Sequence, residues 1–498
     1  MRARVAASWC LVALAGCGSS DTTGSGGGAA GATTAASSSA AASGTGGGAV
    51  PPPVCDPGAG GAPAGFHAAT DGTPAGDGSA TAPWDLATAL LAPPGVQPGD
   101  TIWLHGGVYA GGFVAKLDGA EGAPITVRSW PGEWATIDGQ GTTEPTLQIY
   151  HHDVTFQDLE IMNGDPDRVT DTGRPSGIYV EAKNVKLVHL VVHDTGTGII
   201  CNSASDTDPE LAPELEVYGC ILYDNGWEGT DNGHGHDLYI QNRDGTKHLR
   251  DNLLFDSFGG FGIHAYSDND THWVQGYEIT GNVWWGPGVA TSGASKIYDG
   301  CLVGHNGTHP VARVTLTDNF GWARPIDERD LRLGWSADNE DVKLQNNYLV
   351  GQTIFQQAWQ SIEMVGNTFI GPLSGVDPAA FPGNTYLASA PAETKIVVRP
   401  SQYEPGRAHI VVYNWGQADT VDVDVGSVLA AGVPYEVRSA QDFFGPPVAT
   451  GNFDGKPITL PMTGTAVAQP IGAAGAILPQ ELPGKDFQVF VLLGACGR

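Results

Sequence analysis

A chain of 498 residues with 54 acidic and 24 basic side chains carries a formal net charge of −30. Such a surface argues against nucleic acid and anionic lipid as partners, and it repels acidic glycans unless a bound cation or a local basic patch intervenes. The length allows two domains, and the 13 Trp and 14 Tyr supply both core filling and flat faces of the kind that suit sugar rings.

At the N-terminus, Arg2 and Arg4 precede an apolar stretch that ends in Leu14, Ala15, Gly16 and Cys17. This segment is similar to the lipobox of bacterial lipoproteins, and its apolar core is too short for a permanent span. The resemblance implies acylation of Cys17, and Gly18 in place of an Asp implies the outer membrane, with the chain facing the periplasm or the cell surface. Residues 18–62 begin with Gly, Ala, Ser and Thr almost exclusively, the composition of a flexible tether. Of the seven cysteines, Cys10 leaves with the signal segment, while Cys55 and Cys496 flank the folded part and could be bridged in an oxidising compartment. Cys201 and Cys220 fit a bridge or two small buried hydrophobes, and Cys301 is left over.

The folded part opens with a lone strand and turn from Phe66 to Gly72. The segment from Pro83 to Leu91 then reads as a short amphipathic helix suited to covering an open end of stacked strands. In the run from Gly99 to Tyr109, Thr101, Trp103 and His105 alternate with Ile102 and Leu104 before a Gly-Gly turn, the period of a half-buried strand. Further strands run from Pro124 to Arg128 and up to Gly139. Thereafter one polar residue followed by an apolar triplet recurs, starting at Asp158, His189, Cys220, Asn252, Asn282, Asn319, Asn347 and Asn367. Spacings of this size suit coils stacked on one another, and an ordinary β-sandwich does not keep a period over eight units. An Asn at one turn of each coil can bond its neighbour's backbone and form an internal ladder.

The Gly99 to Tyr109 run and the repeat behind it resemble the right-handed parallel β-helix proteins of the pectate-lyase-like kind. The resemblance implies an all-β fold over residues 63–384 and action on polysaccharides. From residue 385 onward the period is lost, and separate strand runs between Gly- and Pro-rich loops predict a C-terminal antiparallel β-sandwich.

Four strands superpose by their apolar residues, beginning at Gly177, Gly198, Asp237 and Gly262. Strand alternation sends Ile178, Ile199, Leu238 and Ile263 inward, with Val180, Cys201, Ile240 and Ala265. The residues between them then face solvent, with Tyr239 beside His264, Gln241 beside Tyr266, and Asp237 in a recess between Gly198 and Gly262. His234 and His236 precede this strand in a Gly-rich turn and read as turn residues, proton carriers or metal ligands. Glu181 and Asp237 come out about 16 Å apart by strand geometry, beyond the roughly 6.5 to 9.5 Å of an inverting glycosidase pair. A base and acid built from His264 and Tyr239, oriented by Asp237 or His236, fits the spacing better. Such a pair suits β-elimination or epimerisation of a uronic acid, with Tyr179, Glu181, Gln241 and Tyr266 as substrate contacts. The substrate carboxylate must then be neutralised, by Lys296, by Arg332, or by calcium held on Asp165, Asp167 and Asp171. The expectation is a monomeric, lipid-anchored polysaccharide lyase. Glycoside hydrolysis or uronate epimerisation on the same fold, and a non-catalytic glycan-binding surface protein, are the alternatives.

Overall fold

The structure is a computed structural model that describes residues 63–170, 172–203, 213–288, 299–336, 338–472 and 483–494. The expected signal segment with Cys17, the tether, Cys55, Asp171, Lys296 and Cys496 lie outside the described residues.

Three long sheets form the body of the protein. The first runs from Phe66–Ala68 to Trp359–Val365, the second from Phe113–Ala115 to Leu373–Ser374, and the third from Gly107–Ala110 to Thr385–Leu387. Neighbouring strands within them are parallel and come from successive coils, the arrangement of a right-handed parallel β-helix. Apolar side chains of all three sheets meet in one core. Phe66–Ala68 is itself the first rung, paired in parallel with Thr101–Leu104. The expected helix, Leu86–Leu90, covers the adjacent end, with the Asp85 carboxylate accepting from the Thr88 N–H at 2.7 Å and Leu86, Ala89 and Leu90 buried.

The asparagine ladder forms as expected and gains one rung. The amide nitrogens of Asn252, Asn282, Asn319, Asn347 and Asn367 donate to the next side-chain oxygen at 2.9, 3.1, 2.8, 2.8 and 2.8 Å, ending on Asn384. Each oxygen also accepts a backbone N–H from the coil before it, so buried amides are satisfied on both sides. The alignment of the two earliest repeats shifts by one residue. Val191 pairs with Glu160 and Ile221, which puts Leu159 and Leu190, not Asp158 and His189, in the column of Cys220 and the asparagines. Asp158 and His189 instead close the preceding turn at φ values of 53° and 51°, a left-handed position that also favours polar residues.

Beyond the last rung, a five-stranded antiparallel sheet begins at Lys395–Pro400, and a two-stranded sheet of Thr420–Val423 and Ile458–Pro461 accompanies it, with a shared apolar core. One face of the larger sheet, with Val411, Tyr413, Phe487, Val489 and Val491, packs on the outer face of the third sheet against Leu253, Val283, Phe320 and Tyr348. Aromatic stacking continues across this junction, Trp322 lying 4.8 Å from Phe487 between ring centroids. Cys201, Cys220 and Cys301 are free and buried, the second of the two readings for the first pair.

Candidate active site on the second sheet

With the third sheet covered, the outward face of the second sheet carries the expected site. Ile178, Ile199, Leu238 and Ile263 are in register and fully buried in the coil core, as are Val180, Cys201, Ile240 and Ala265. Tyr239 and His264 are register partners on the outward side, with ring centroids 5.2 Å apart. His236, in the turn before Leu238, brings its ring to 4.4 Å from His264 and 6.0 Å from Tyr239. Gln241 donates to the Tyr239 hydroxyl at 3.3 Å and to the Tyr266 carbonyl at 3.2 Å.

Two expectations about this face are corrected. Asp237 points into the coil and not into a surface recess. Its Oδ1 accepts from the Asn225 amide at 3.0 Å, and it is fully buried. The glycines of its column are closed off in the same way: a Cβ on Gly198 would lie 3.1 Å from Leu222 and from Asn225, and one on Gly300 would strike Trp284. Alternation fails because the chain bends between sheets just there, so Asp237 and Leu238 both turn inward. Burial raises the Asp237 carboxyl well above the usual range, which favours its neutral form and a structural role.

The second correction concerns exposure. His264 and Tyr266 are each 7% exposed and Gln241 3%, because Phe261, Leu302 and Trp335 form an apolar cluster with Tyr266 and Tyr239 outside the coil. Phe261 and Tyr266 both stack on the His264 ring, at 4.1 and 4.7 Å. This enclosure sets the protonation states. Burial, helped by His236, holds the His264 imidazole well below its ordinary pKa, and burial takes His236 to about 3. The Tyr239 phenol is pushed up to about 12 by burial and by Asp268.

On either side of this centre lie two polar groups. Two rungs earlier, Tyr179 donates to Glu181 at 2.5 Å and accepts from Asn202 at 3.0 Å. Two rungs later, Arg332 places Nε 3.2 Å from Asp299 and its guanidinium 4.8 Å from the Trp335 ring. Arg329 reaches the other Asp299 oxygen at 3.7 Å, so two guanidiniums share one carboxylate. Asp299 is pushed up to about 6 by burial against the pull of both arginines. Sequence reasoning missed Asn202, Phe261, Asp299, Arg329 and Trp335. Asp299 had a visible signal: Cys301 and Val303 repeat the inward spacing of the four strands and extend the superposition by one.

No family model matches the chain, and no curated protein matches it. Among solved structures the chain is similar to pectate lyase Pel9A at 15% identity, over 66% of this chain and 79% of that one, with a TM-score of 0.43. It is similar to an alginate lyase from Paenibacillus sp. str. FPU-7 at 18% identity, over 61% and 96%, with a TM-score of 0.39. It is also similar to the A-module of the mannuronan C-5 epimerase AlgE4 of Azotobacter vinelandii at 12% identity, over 58% and 87%, with a TM-score of 0.33. The fold rests on the parallel sheets described above, and residue roles rest on the geometry of this chain.

Of the expected calcium ligands, Asp165 accepts from the Asp167 N–H at 2.9 Å in a local turn, and Asp171 lies outside the described residues. Asp158, His189 and Glu404 do offer ligand atoms within 4.8 Å of one another. They are buried on another side of the coil, with Arg128 2.6 Å from Asp158 and Arg407 3.4 Å from Glu404. Guanidiniums already occupy the place of a cation there.

Proposed function

We propose that the chain processes a polysaccharide by β-elimination at a uronic-acid residue, on the outward face of the second sheet around His264 and Tyr239. The observation that carries this reading is the pairing of a neutral imidazole with a protonated phenol on adjacent rungs. His264 takes the C5 proton, the bond from C4 to the glycosidic oxygen breaks, a C4–C5 double bond forms, and the Tyr239 proton passes to the departing oxygen. Transfers of this kind contribute about 10²- to 10⁴-fold each. Arg332 and Arg329, with Asp299 between them, leave a positive surplus about 10 Å along the sheet by strand spacing. At that distance the surplus can engage the carboxylate of a neighbouring uronate unit, and it is the local basic patch that a chain of net charge −30 needs for an acidic glycan.

A two-carboxylate hydrolysis is not supported by this face. Its strand carboxylates, Glu181 and Asp299, stand four rungs apart, more than about 19 Å by strand spacing, too far for a glycosidase pair. Glycan binding without chemistry is favoured by one observation, the 7% exposure of His264. Purified protein incubated with acidic and neutral polysaccharides, with and without calcium, separates these readings. Unsaturated products detected by ultraviolet absorbance support elimination, new reducing ends without that absorbance support hydrolysis, and retention without product supports binding. Acylation at Cys17 and an outer-membrane location belong to the same proposal, supported by the residues around Cys17 and the low-complexity stretch behind it.

A further inference from the structure

Where residues 399–407 of the C-terminal sheet lie on the coil stack, a small cavity is lined by His189, Tyr218, Asp251, Arg399, Arg407 and His409 among others. The segment is fastened around it: the Gln402 N–H donates to the Tyr218 hydroxyl at 2.8 Å, Tyr403 donates to Glu216 at 2.6 Å, and Ser401 lies 3.0 Å from His189 Nε2. Arg399 places its Nε 2.5 Å from Asp251 Oδ1. Arg407 is 4% exposed, and among the described residues its one carboxylate contact is Nη1 to Glu404 at 3.4 Å, long for a charge-assisted bond. Its Nε and Nη2 are buried without a hydrogen-bond partner among the described residues, a costly state for a guanidinium.

We propose that this cavity binds one small monovalent anion, a halide, on Nε and Nη2 of Arg407. The cavity is small and suits one compact occupant. Arg128, Arg399 and Arg407 surround Asp158, Asp251 and Glu404, and burial pushes the Glu404 carboxyl up to about 7. Arg407 keeps two N–H groups that these carboxylates do not take, and a bound anion satisfies both with charge where water does not. Its place between Arg407 and the coils would fix the C-terminal sheet on the stack.

The test uses bromide on the full protein. Crystals grown in bromide should give an anomalous peak in the cavity within hydrogen-bonding distance of Arg407. The thermal midpoint should rise by a few degrees and saturate as bromide replaces gluconate at constant ionic strength. Arg407→Lys keeps the charge, removes the paired N–H groups, and should abolish that rise. A cavity holding only water at saturating bromide, or an equal rise in Arg407→Lys, overturns the proposal.

Discussion

Replacing Asn319 by Ala perturbs the coil stack at its most dependent point. The side chain makes four hydrogen bonds: it donates to the Ile279 carbonyl at 2.8 Å and to Asn347 Oδ1 at 2.8 Å, and it accepts from the Asn282 backbone N–H at 3.0 Å and the Asn282 amide at 3.1 Å. Two of these partners keep another bond after truncation, since Asn282 Nδ2 still reaches the Leu249 carbonyl and Asn347 Oδ1 still accepts the Asn319 N–H. The Ile279 carbonyl also stays in the parallel ladder with the next coil, so the Asn282 N–H is the group that loses its partner. At about 1 to 3 kcal/mol for a buried group left unmet, Asn319→Ala should cost about 1 to 3 kcal/mol. Asn384 makes similar bonds at the end of the ladder but is half-exposed, so water can replace its amide, and Asn384→Ala should cost less than about 1.5 kcal/mol. Urea unfolding at an unchanged slope measures both. Equal losses in the two variants would refute the idea that burial of a continuous amide ladder holds the coils.

Asp237 carries a pH signature. Its folded pKa lies well above the ordinary 3.8, so the native state keeps a proton that the unfolded chain has released, and stability falls as pH rises above about 4. Asp237→Asn keeps an acceptor for Asn225 without that proton, so its thermal midpoint should match the parent near pH 4 and exceed it at pH 8; parallel curves would refute the inward, neutral assignment. Arg332→Gln should lower kcat/KM on a uronate polymer by tenfold or more by removing half of the guanidinium pair on Asp299, and an unchanged value would move carboxylate recognition elsewhere. Cys17→Ser should shift the protein from the membrane to the soluble fraction without altering its thermal midpoint, and continued membrane association would refute the anchor.

Much of this architecture was legible because a coil repeats its constraints. The inward residues of four strands, the pairing of Tyr239 with His264 and the asparagine ladder each follow from strand period and repeat spacing, and each is in the structure. The failures lie where that regularity breaks. At Asp237 the bend between sheets turns two consecutive side chains inward, and no alternation rule signals a bend. At Asp158 and His189 a polar residue at the left-handed turn position looks the same as a polar residue one place later. The cover over His264 comes from Phe261, Leu302 and Trp335, side chains of different coils whose meeting depends on strand lengths that composition does not set. The docking of the C-terminal sheet on Phe320 and Tyr348 was hidden for a related reason: those positions read as ordinary outward aromatics until the partner sheet is seen.

The central claim is that His264 and Tyr239 move protons as one pair, and Tyr239→Phe tests it most directly because it removes the hydroxyl while keeping the ring against His236 and His264. The measurement is the initial rate of unsaturated product formed from a uronate polymer by the parent and by Tyr239→Phe, with His264→Gln alongside and thermal midpoints recorded for all three. The account expects each variant to lose about a hundredfold or more in rate, with Tyr239→Phe unchanged in thermal midpoint. A Tyr239→Phe enzyme that forms product at the parental rate would contradict it.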